Sequence, residues 1–203
     1  MTLESSKTLG GVGAILIIVG SLGSIGLGYA GLLSLIGIIL VLIALKGLSD
    51  HYNEGGIFNN ALYGLIVGII GGVAFVATIV VMVLAVISTS FDWTSGAMYE
   101  QWFTDWDALW GVIGAIVMAL IVLFVCGIIA AIFFRKSLSI LSAKSGEKIF
   151  ETAGLLWLIG AILTIVLVGL LLIWVAWILI AIGFFSIKTT TAQPPATVPP
   201  PPP

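Results

Sequence analysis

Long uncharged apolar runs, separated by short charged segments, make up almost all of the sequence. No charged residue lies between Lys7 and Lys46, or between Glu151 and Lys188. As one helix, each of these two segments would be roughly 55 Å long, whereas the hydrocarbon core of a bilayer is about 30 Å thick. Each segment is therefore predicted to be a hairpin of two short helices, and the two apolar runs between them to be single long helices.

The pattern thus predicts an all-α polytopic bundle of six transmembrane helices, with two short helical hairpins at the ends and two long central helices. The turn of the first hairpin is expected at Gly26 to Gly31, because glycine tolerates the backbone angles of a turn. The turn of the second is expected near Val168 and Gly169. The predicted spans are about 9–27, 30–46, 58–87, 108–134, 152–168 and 170–187.

The positions of the charges predict which way the chain faces. With six spans, both termini and the loops after helices 2 and 4 share one side, and they hold all 7 Lys and Arg residues. The loop between helices 3 and 4 carries four acidic residues and no basic one. Basic residues favour the cytoplasmic side, so both termini are predicted to be cytoplasmic. A four-span reading would separate Lys7 from Lys46 and fits less well.

A third reading keeps the same charge pattern but changes the number of crossings. The two terminal hairpins, about residues 8–45 and 152–187, could enter from the cytoplasm and return without reaching the far side. Reticulon-like wedges that curve membranes do this. Each half of a hairpin still reaches the roughly 17 residues that a short span needs. Full spanning is therefore the prediction, and the re-entrant reading stays open.

Composition makes lipid the solvent of the folded chain. Hydrophobic residues account for 61% of the chain and charged residues for 8%, with a mean hydropathy of +1.29. Soluble domains carry about 25% charged residues, so this chain could not cover a water-facing surface. With a net charge of −2 and no basic patch, nucleic acid is not an expected partner. The expected partners are the lipid bilayer and either a second copy of the chain or another membrane protein.

The prolines separate a tail from the membrane domain. All 7 prolines lie between Pro194 and Pro203. Residues 1–188 are therefore predicted to form the transmembrane domain, and residues 189–203 a disordered, proline-rich cytoplasmic tail.

Small residues repeat at helical spacing and are the candidate helix-packing residues. Small side chains at i, i+4 and i+8 line one helix face and let a neighbouring backbone approach closely. Such a face can build an oligomer, or it can serve ordinary packing inside one bundle. The candidates are Gly64, Gly68 and Gly72 of helix 3 and Gly20, Ser24 and Gly28 of helix 1, with Gly111, Ala115 and Ala119 of helix 4 at the same spacing.

Tryptophans are the candidate interface anchors. Indole prefers the headgroup level of a bilayer, where one side is apolar and the other wet. On a helix, Trp102, Trp106 and Trp110 would fall within about 80° of one another. Trp174 and Trp177 lie at the predicted outer start of helix 6. All five are predicted to lie at the outer interface.

The sequence lacks the groups that most membrane enzymes and pumps need. No Asp, Glu, Lys, Arg or His lies deep in any predicted span, although such residues usually mark ion and proton paths. No nucleophile–base pair, HExxH motif or phosphate-binding glycine loop is present. His51 has no Cys or second His nearby and is a poor metal site. We therefore expect no enzymatic activity, no catalytic residues, no cofactor and no metal.

A weak internal repeat relates helices 2–3 to helices 4–5. Lys46-Gly-Leu-Ser49 is similar to Lys136-Ser-Leu-Ser139, and each is followed by an Ile-Phe pair and an alanine. The match would be a parallel repeat about an axis along the membrane normal. Alternatively, every cytoplasmic loop that enters a helix looks somewhat alike.

The segment Lys46-Gly-Leu-Ser-Asp-His-Tyr, followed by Gly56-Ile-Phe-Asn-Asn-Ala-Leu-Tyr-Gly64, resembles a family of archaeal membrane proteins. That family is catalogued as domain of unknown function 996. The similarity extends to Lys7-Thr-Leu-Gly-Gly and Ile182-Gly-Phe-Phe-Ser-Ile-Lys188 and so covers nearly everything before the tail. The resemblance implies a multi-pass protein of an archaeal cell membrane, and it implies no activity and no functional residues.

Three functions remain open. The glycine ladders, the uncharged spans and the proline tail favour a non-enzymatic membrane scaffold or accessory subunit. The repeat favours a small channel or permease for a neutral solute, for which a polar-lined cavity at mid-membrane would be the sign. A membrane-curving hairpin protein would require that the terminal hairpins do not cross the bilayer.

Overall fold

The computed structural model describes residues 2–23, 30–92, 97–98 and 106–188. Within these ranges the chain is an all-α bundle of six helices, as the sequence predicts. The helices are α1 (Leu3–Gly23), α2 (Ala30–His51), α3 (Gly55–Ser90), α4 (Trp106–Ser145), α5 (Ile149–Leu163) and α6 (Val168–Ser186). A 3-10 turn (Thr164–Val166) joins α5 to α6, and the two-residue strands β1 (Phe91–Asp92) and β2 (Ala97–Met98) pair antiparallel after α3.

All six helices are long and apolar enough to cross a membrane, α5 only together with the 3-10 turn that follows it. Lipid offers no hydrogen bonds, so polar groups within a span must be satisfied inside the protein. Two threonine hydroxyls in the apolar runs follow this rule. Thr78 Oγ donates to the carbonyl oxygen of Ala74 at 2.9 Å, and Thr164 Oγ donates to that of Gly160 at 2.8 Å.

The helices pack as three hairpins arranged in a ring. α1 packs on α2, α3 on α4 and α5 on α6, and the ring is closed by contacts of α4 with α5 and of α6 with α1. The seam between α2 and α3 is the least closely packed of these junctions.

The hydrophobic core lies at one end of the ring, which we call the basic end. It contains the α2–α3 turn, the α4–α5 turn, the start of α1 and the end of α6, and it carries the Lys and Arg residues of the chain. Every helix contributes fully buried side chains to this core, among them Ala14, Leu48, Ile57, Leu141, Phe150 and Phe184. The rings of Phe150 and Phe184 meet edge to face, with centroids 5.3 Å apart. Burying such rings contributes on the order of 2 kcal/mol each.

Glycines allow the closest approach of helix backbones. A Cβ atom on Gly37 would lie 2.6 Å from the carbonyl oxygen of Gly13, and one on Gly13 would lie 2.8 Å from that of Gly37. α1 and α2 therefore meet backbone to backbone. Gly160 and Gly169 bring α5 and α6 together in the same way, since a Cβ on Gly160 would be 2.9 Å from the carbonyl oxygen of Gly169.

The turn of the last hairpin lies slightly earlier than Val168 and Gly169, where it was expected. It is formed by the 3-10 turn and Leu167, whose φ of 62° is in the left-handed region. Gly169 is used for the close contact with Gly160 instead. The first hairpin's turn, expected at Gly26 to Gly31, falls largely outside the described residues.

The central hairpin is much longer than the other two. α3 has 36 residues and α4 has 40, whereas α1 and α2 have 21 and 22 and α5 has 15. At 1.5 Å per residue, α3 and α4 are roughly 54 and 60 Å long and the helices of the first hairpin roughly 32 Å. α4 runs on to Ser145, past the predicted span end at residue 134, because Leu138 and Leu141 of this extension are buried in the core.

The two turns at the basic end are built alike, which supports the repeat of α2–α3 onto α4–α5. Ser49 Oγ donates to the carbonyl oxygen of Glu54 at 2.9 Å, and Ser142 Oγ donates to that of Glu147 at 3.0 Å. A residue with positive φ precedes each glutamate: Asn53 (54°) and Gly146 (77°). The predicted register, which matched Ser49 with Ser139, is wrong, because it is Ser142 that repeats the bond of Ser49.

This repeat gives a stability prediction. Because each hydroxyl closes one turn at the edge of the core, Ser49→Ala and Ser142→Ala are each expected to lower the free energy of unfolding by about 1 kcal/mol. Thermal unfolding of the purified protein in one detergent measures this. The matched control is Ser186→Ala, whose exposed hydroxyl bonds only within its own helix; it is expected to change stability by less than about 0.5 kcal/mol. If only one of the two substitutions lowers the free energy of unfolding, the two turns are not equivalent.

Candidate helix-packing surfaces and the interior cavity

The predicted ladder of α3 divides between two environments. A Cβ on Gly64 would lie 2.9 Å from the carbonyl oxygen of Ala130, so this glycine packs against α4. A Cβ on Gly68 would meet only Ala130 Cβ, at 3.9 Å, and one on Gly72 would meet no atom within 4 Å. Gly71 is the second close contact with α4, since its Cβ would be 2.5 Å from that of Cys126. The α3–α4 contact therefore repeats every seven residues, the period of left-handed helix pairs, and Gly72 faces open space.

The predicted ladder of α1 is only partly described. Gly20 is buried in α1, whereas Ser24 and Gly28 lie outside the described residues. The close contacts of this helix are made nearer its start. Gly10 lies against the ring of Phe184, and Gly13 lies against Gly37. Sequence reasoning missed this face, and the Gly10–Gly13 spacing of three residues was the signal for it.

A groove runs along the part of the α3–α4 hairpin that is distant from the basic end. Two adjoining depressions, of about 520 and 190 Å³, share Thr78 and Ala115. Among the described residues, only α3 and α4 line them. We call the two together the outer groove; its small lining residues are Ala74, Ala77, Thr78, Ala85, Gly111, Ala115 and Ala119. The ladder of α4 that the sequence predicts thus lies along this groove.

The tryptophans at the start of α4 are exposed. Trp106 and Trp110 are 70% and 64% exposed, and Trp102 lies outside the described residues. Both described rings are placed where the long hairpin ends, as interface anchors would be. Their contact with headgroups stays a prediction.

The tryptophans of α6 have neighbours within the bundle. The ring centroid of Trp177 lies 4.7 Å from that of Trp157 and 6.0 Å from that of Phe134. The ring centroids of Trp157 and Phe134 are 4.4 Å apart. Trp174 is partly buried, and its Nε1 has no hydrogen-bond partner among the described residues. Trp177 therefore belongs to a cluster of three aromatic rings on α4, α5 and α6, and the anchoring role predicted for Trp174 and Trp177 stays a prediction.

This aromatic cluster forms one wall of an interior cavity of about 400 Å³. The cavity begins where the core at the basic end stops, since Ile17, Val41 and Ala61 belong to both. Each helix contributes at least one lining residue: Ile17, Val41, Ala61, Phe134, Trp157 and Trp177, in the order of the helices. No charged or hydroxyl-bearing side chain is among the residues that line it. The sequence did not predict this cavity.

Charged groups are paired around the basic end. Lys46 Nζ lies 2.7 Å from the carboxylate of Asp50, and Lys144 Nζ lies 3.2 Å from that of Glu54 and so joins the two turns. Lys7 Nζ donates to the carbonyl oxygen of Ile187 at 3.5 Å and thereby links the start of α1 to the end of α6. Exposed pairs of this kind contribute less than about 1 kcal/mol each. In the described part of the chain, no three His, Cys, Asp or Glu side chains are grouped to hold a metal ion.

The phenol of Tyr52 has a shifted pKa. Tyr52 lies in the α2–α3 turn, against the core, and its ring meets that of His51 edge to face with the centroids 5.1 Å apart. Burial raises the pKa of its phenol above the ordinary value, so Tyr52 is neutral at physiological pH.

Comparison with known proteins identifies the family of the chain. Residues 33–178 match the family described as "Protein of unknown function (DUF996)". The chain is also 32% identical over 187 residues to the uncharacterized protein MJ1644 of Methanocaldococcus jannaschii, an alignment that covers 92% of this chain and 94% of that relative. No solved structure matches the chain. The match includes α3, α4 and α5 and most of α2 and α6, and we conclude that this protein belongs to the DUF996 family of proteins of unknown function.

Proposed function

We propose that this protein is a non-enzymatic scaffold or accessory subunit of the cell membrane, and that the outer groove receives one transmembrane helix of another membrane protein. The observation that carries the proposal is the groove itself. It is lined mainly by small residues, and no other helix of the described chain covers it.

The chemistry of the groove suits a helix. In lipid, helices associate where small residues let backbones approach closely, because there is no hydrophobic driving force between them. Gly111, Ala115 and Ala119 form such a stripe on α4. Thr78, which lies in both parts of the groove, already bonds its own helix at Ala74. A partner helix therefore needs no polar group to satisfy it, only small or complementary side chains.

The interior of the bundle lacks the polar lining that a path for a transported solute needs. A water-filled path requires polar groups along it, whereas the cavity is lined by aliphatic, glycine and aromatic residues. The core of the basic end, with Leu48, Leu141 and Phe184 fully buried, lies between this cavity and the cytoplasmic surface that the charges predict. These features support the scaffold over the neutral-solute channel.

A photoreactive residue in the groove tests the proposal in the native membrane. Met118→benzoylphenylalanine places the probe in the groove, and Leu120→benzoylphenylalanine places it on another exposed face of α4. Irradiation is expected to join one particular membrane protein to the probe at position 118 and not at 120. Ala115→Leu fills the groove and should abolish that adduct. Gly127→Leu, at a position of the same helix with nothing within 4 Å, should retain it.

Two outcomes would contradict the accessory-subunit role. An adduct of twice the chain's own mass would assign the groove to self-association. Identical lipid adducts at positions 118 and 120 would mean that no protein occupies the groove.

A membrane-curving hairpin protein is a second candidate, favoured by the tip of the α5–α6 hairpin. Ile165 and Leu167, in the turn, are 73% and 72% exposed, and Val166, Val168 and Leu171 beside them are exposed as well. A turn that emerged into water would be expected to carry polar residues. An apolar turn is more stable in hydrocarbon, which is where a hairpin that enters only one leaflet would place it. However, α6, and α5 together with the 3-10 turn, are long enough to cross the membrane.

Cysteine labelling separates crossing from wedging. If the hairpin is a wedge, Leu167→Cys in a Cys126→Ala background does not react with a membrane-impermeant maleimide added to either side of sealed vesicles. Asp50→Cys, at the exposed basic end, is the matched control and should react from one side. Reaction of Leu167→Cys from the opposite side would show that the hairpin crosses, and would remove the wedge and this candidate function.

A further inference from the structure

The interior cavity must be filled by something apolar. Water in a cavity needs several polar partners, and among the described lining side chains the only polar atoms are the indole N–H groups of Trp157 and Trp177. An empty cavity forgoes the contacts that its walls would otherwise make. The solvent around the bundle is lipid, so a lipid hydrocarbon chain is the apolar group available to occupy the cavity.

The loose α2–α3 seam gives such a chain a way in. α2 packs far less closely on α3 than on α1. On the α3 side of the cavity, Gly68 and Ile69 are exposed. Gly68 has no side chain to close the opening, and a Cβ atom there would lie 3.9 Å from that of Ala130.

A surface groove leads from this seam toward the charges of the basic end. It has a volume of about 480 Å³ and is lined by one face of α2 and by Phe58 of α3. Leu42 lines both this groove and the interior cavity, so the two adjoin. At its far end the groove reaches Lys46, whose Nζ lies 5.5 Å from the centre of the Phe58 ring.

Lys46 is available to a phosphate. Its ammonium group has three N–H donors, of which the carboxylate of Asp50 at 2.7 Å engages one. The Lys46 side chain is 54% exposed, so another acceptor can approach it. Basic residues at this level attract anionic lipids.

From this arrangement we infer that the cavity binds one hydrocarbon chain of an anionic phospholipid, whose phosphate lies at Lys46 and whose chain passes Leu42 into the bundle. The site is separate from the outer groove and does not depend on the proposed function. The bound chain completes the packing of the bundle above its core.

A photoreactive lipid tests this in the intact protein. The probe is phosphatidylglycerol with a diazirine near the end of one acyl chain, present in nanodiscs that hold the full chain. Irradiation followed by peptide mapping is expected to place adducts on Leu65 and Trp157, which line the cavity, as well as on the exposed Val81 and Leu84. If Val81 and Leu84 are labelled while the cavity residues are not, the inference is wrong. This experiment uses the unmodified protein, so its result does not depend on whether a variant folds.

A matched pair of variants tests the location. Gly68→Leu puts a side chain into the cavity, whereas Gly72→Leu adds the same side chain to the same helix in open space. Labelling of Trp157 should be lost in the first variant and retained in the second, with Val81 labelled equally in both. Equal labelling of Trp157 in both variants would overturn the proposed path.

The headgroup contact has its own readout. Lys46→Gln should weaken labelling of Trp157 by the phosphatidylglycerol probe about fivefold, as expected for one lost lysine near the membrane surface. A phosphatidylcholine probe with the same diazirine chain should be affected much less. If Lys46→Gln leaves the anionic probe unchanged, the phosphate is not at Lys46, and the anionic-lipid part of the inference is wrong.

Discussion

The packing of the basic end is the interaction on which the rest of the structure depends. Six helices meet there around Phe150, Phe184 and the aliphatic side chains between them. The ion pair of Lys144 with Glu54 joins the two turns, and the hydrogen bond from Lys7 to Ile187 joins the start of α1 to the end of α6. Lipid surrounds the helices beyond this core and is as apolar as their side chains. Among the described residues, no comparable cluster of buried side chains joins the opposite halves of the helices, and the interior cavity and the outer groove both extend beyond the core.

Small residues serve two purposes that look identical in the sequence. A neighbouring backbone occupies the space beside Gly13, Gly37 and Gly64, and a side chain at any of these positions would displace a helix. Gly72, Gly111 and Gly127 have open space beside them. The first set explains how the bundle holds together. The open glycines mark surfaces on which function can be sought, and among them Gly111 also lines a groove.

The sequence predicted what depends on local composition and on the bilayer. Six apolar helices follow from the uncharged runs between Lys7 and Lys46 and between Glu151 and Lys188, because a membrane limits the length of a span. The basic end follows from the same charges. The register of the repeat did not follow, because Ser139 and Ser142 differ only in which one closes a turn. The cavity could not be predicted from the sequence either, because it depends on how three helices bring Phe134, Trp157 and Trp177 together in space.

Whether a partner protein occupies the outer groove is tested most directly by the native mass of the protein. The unmodified chain would be released gently from its own membrane and weighed intact by mass spectrometry, and everything bound to it would be identified. We expect a complex of fixed stoichiometry with one other membrane protein. A monomer, or an assembly of identical chains, carrying only lipid would contradict it.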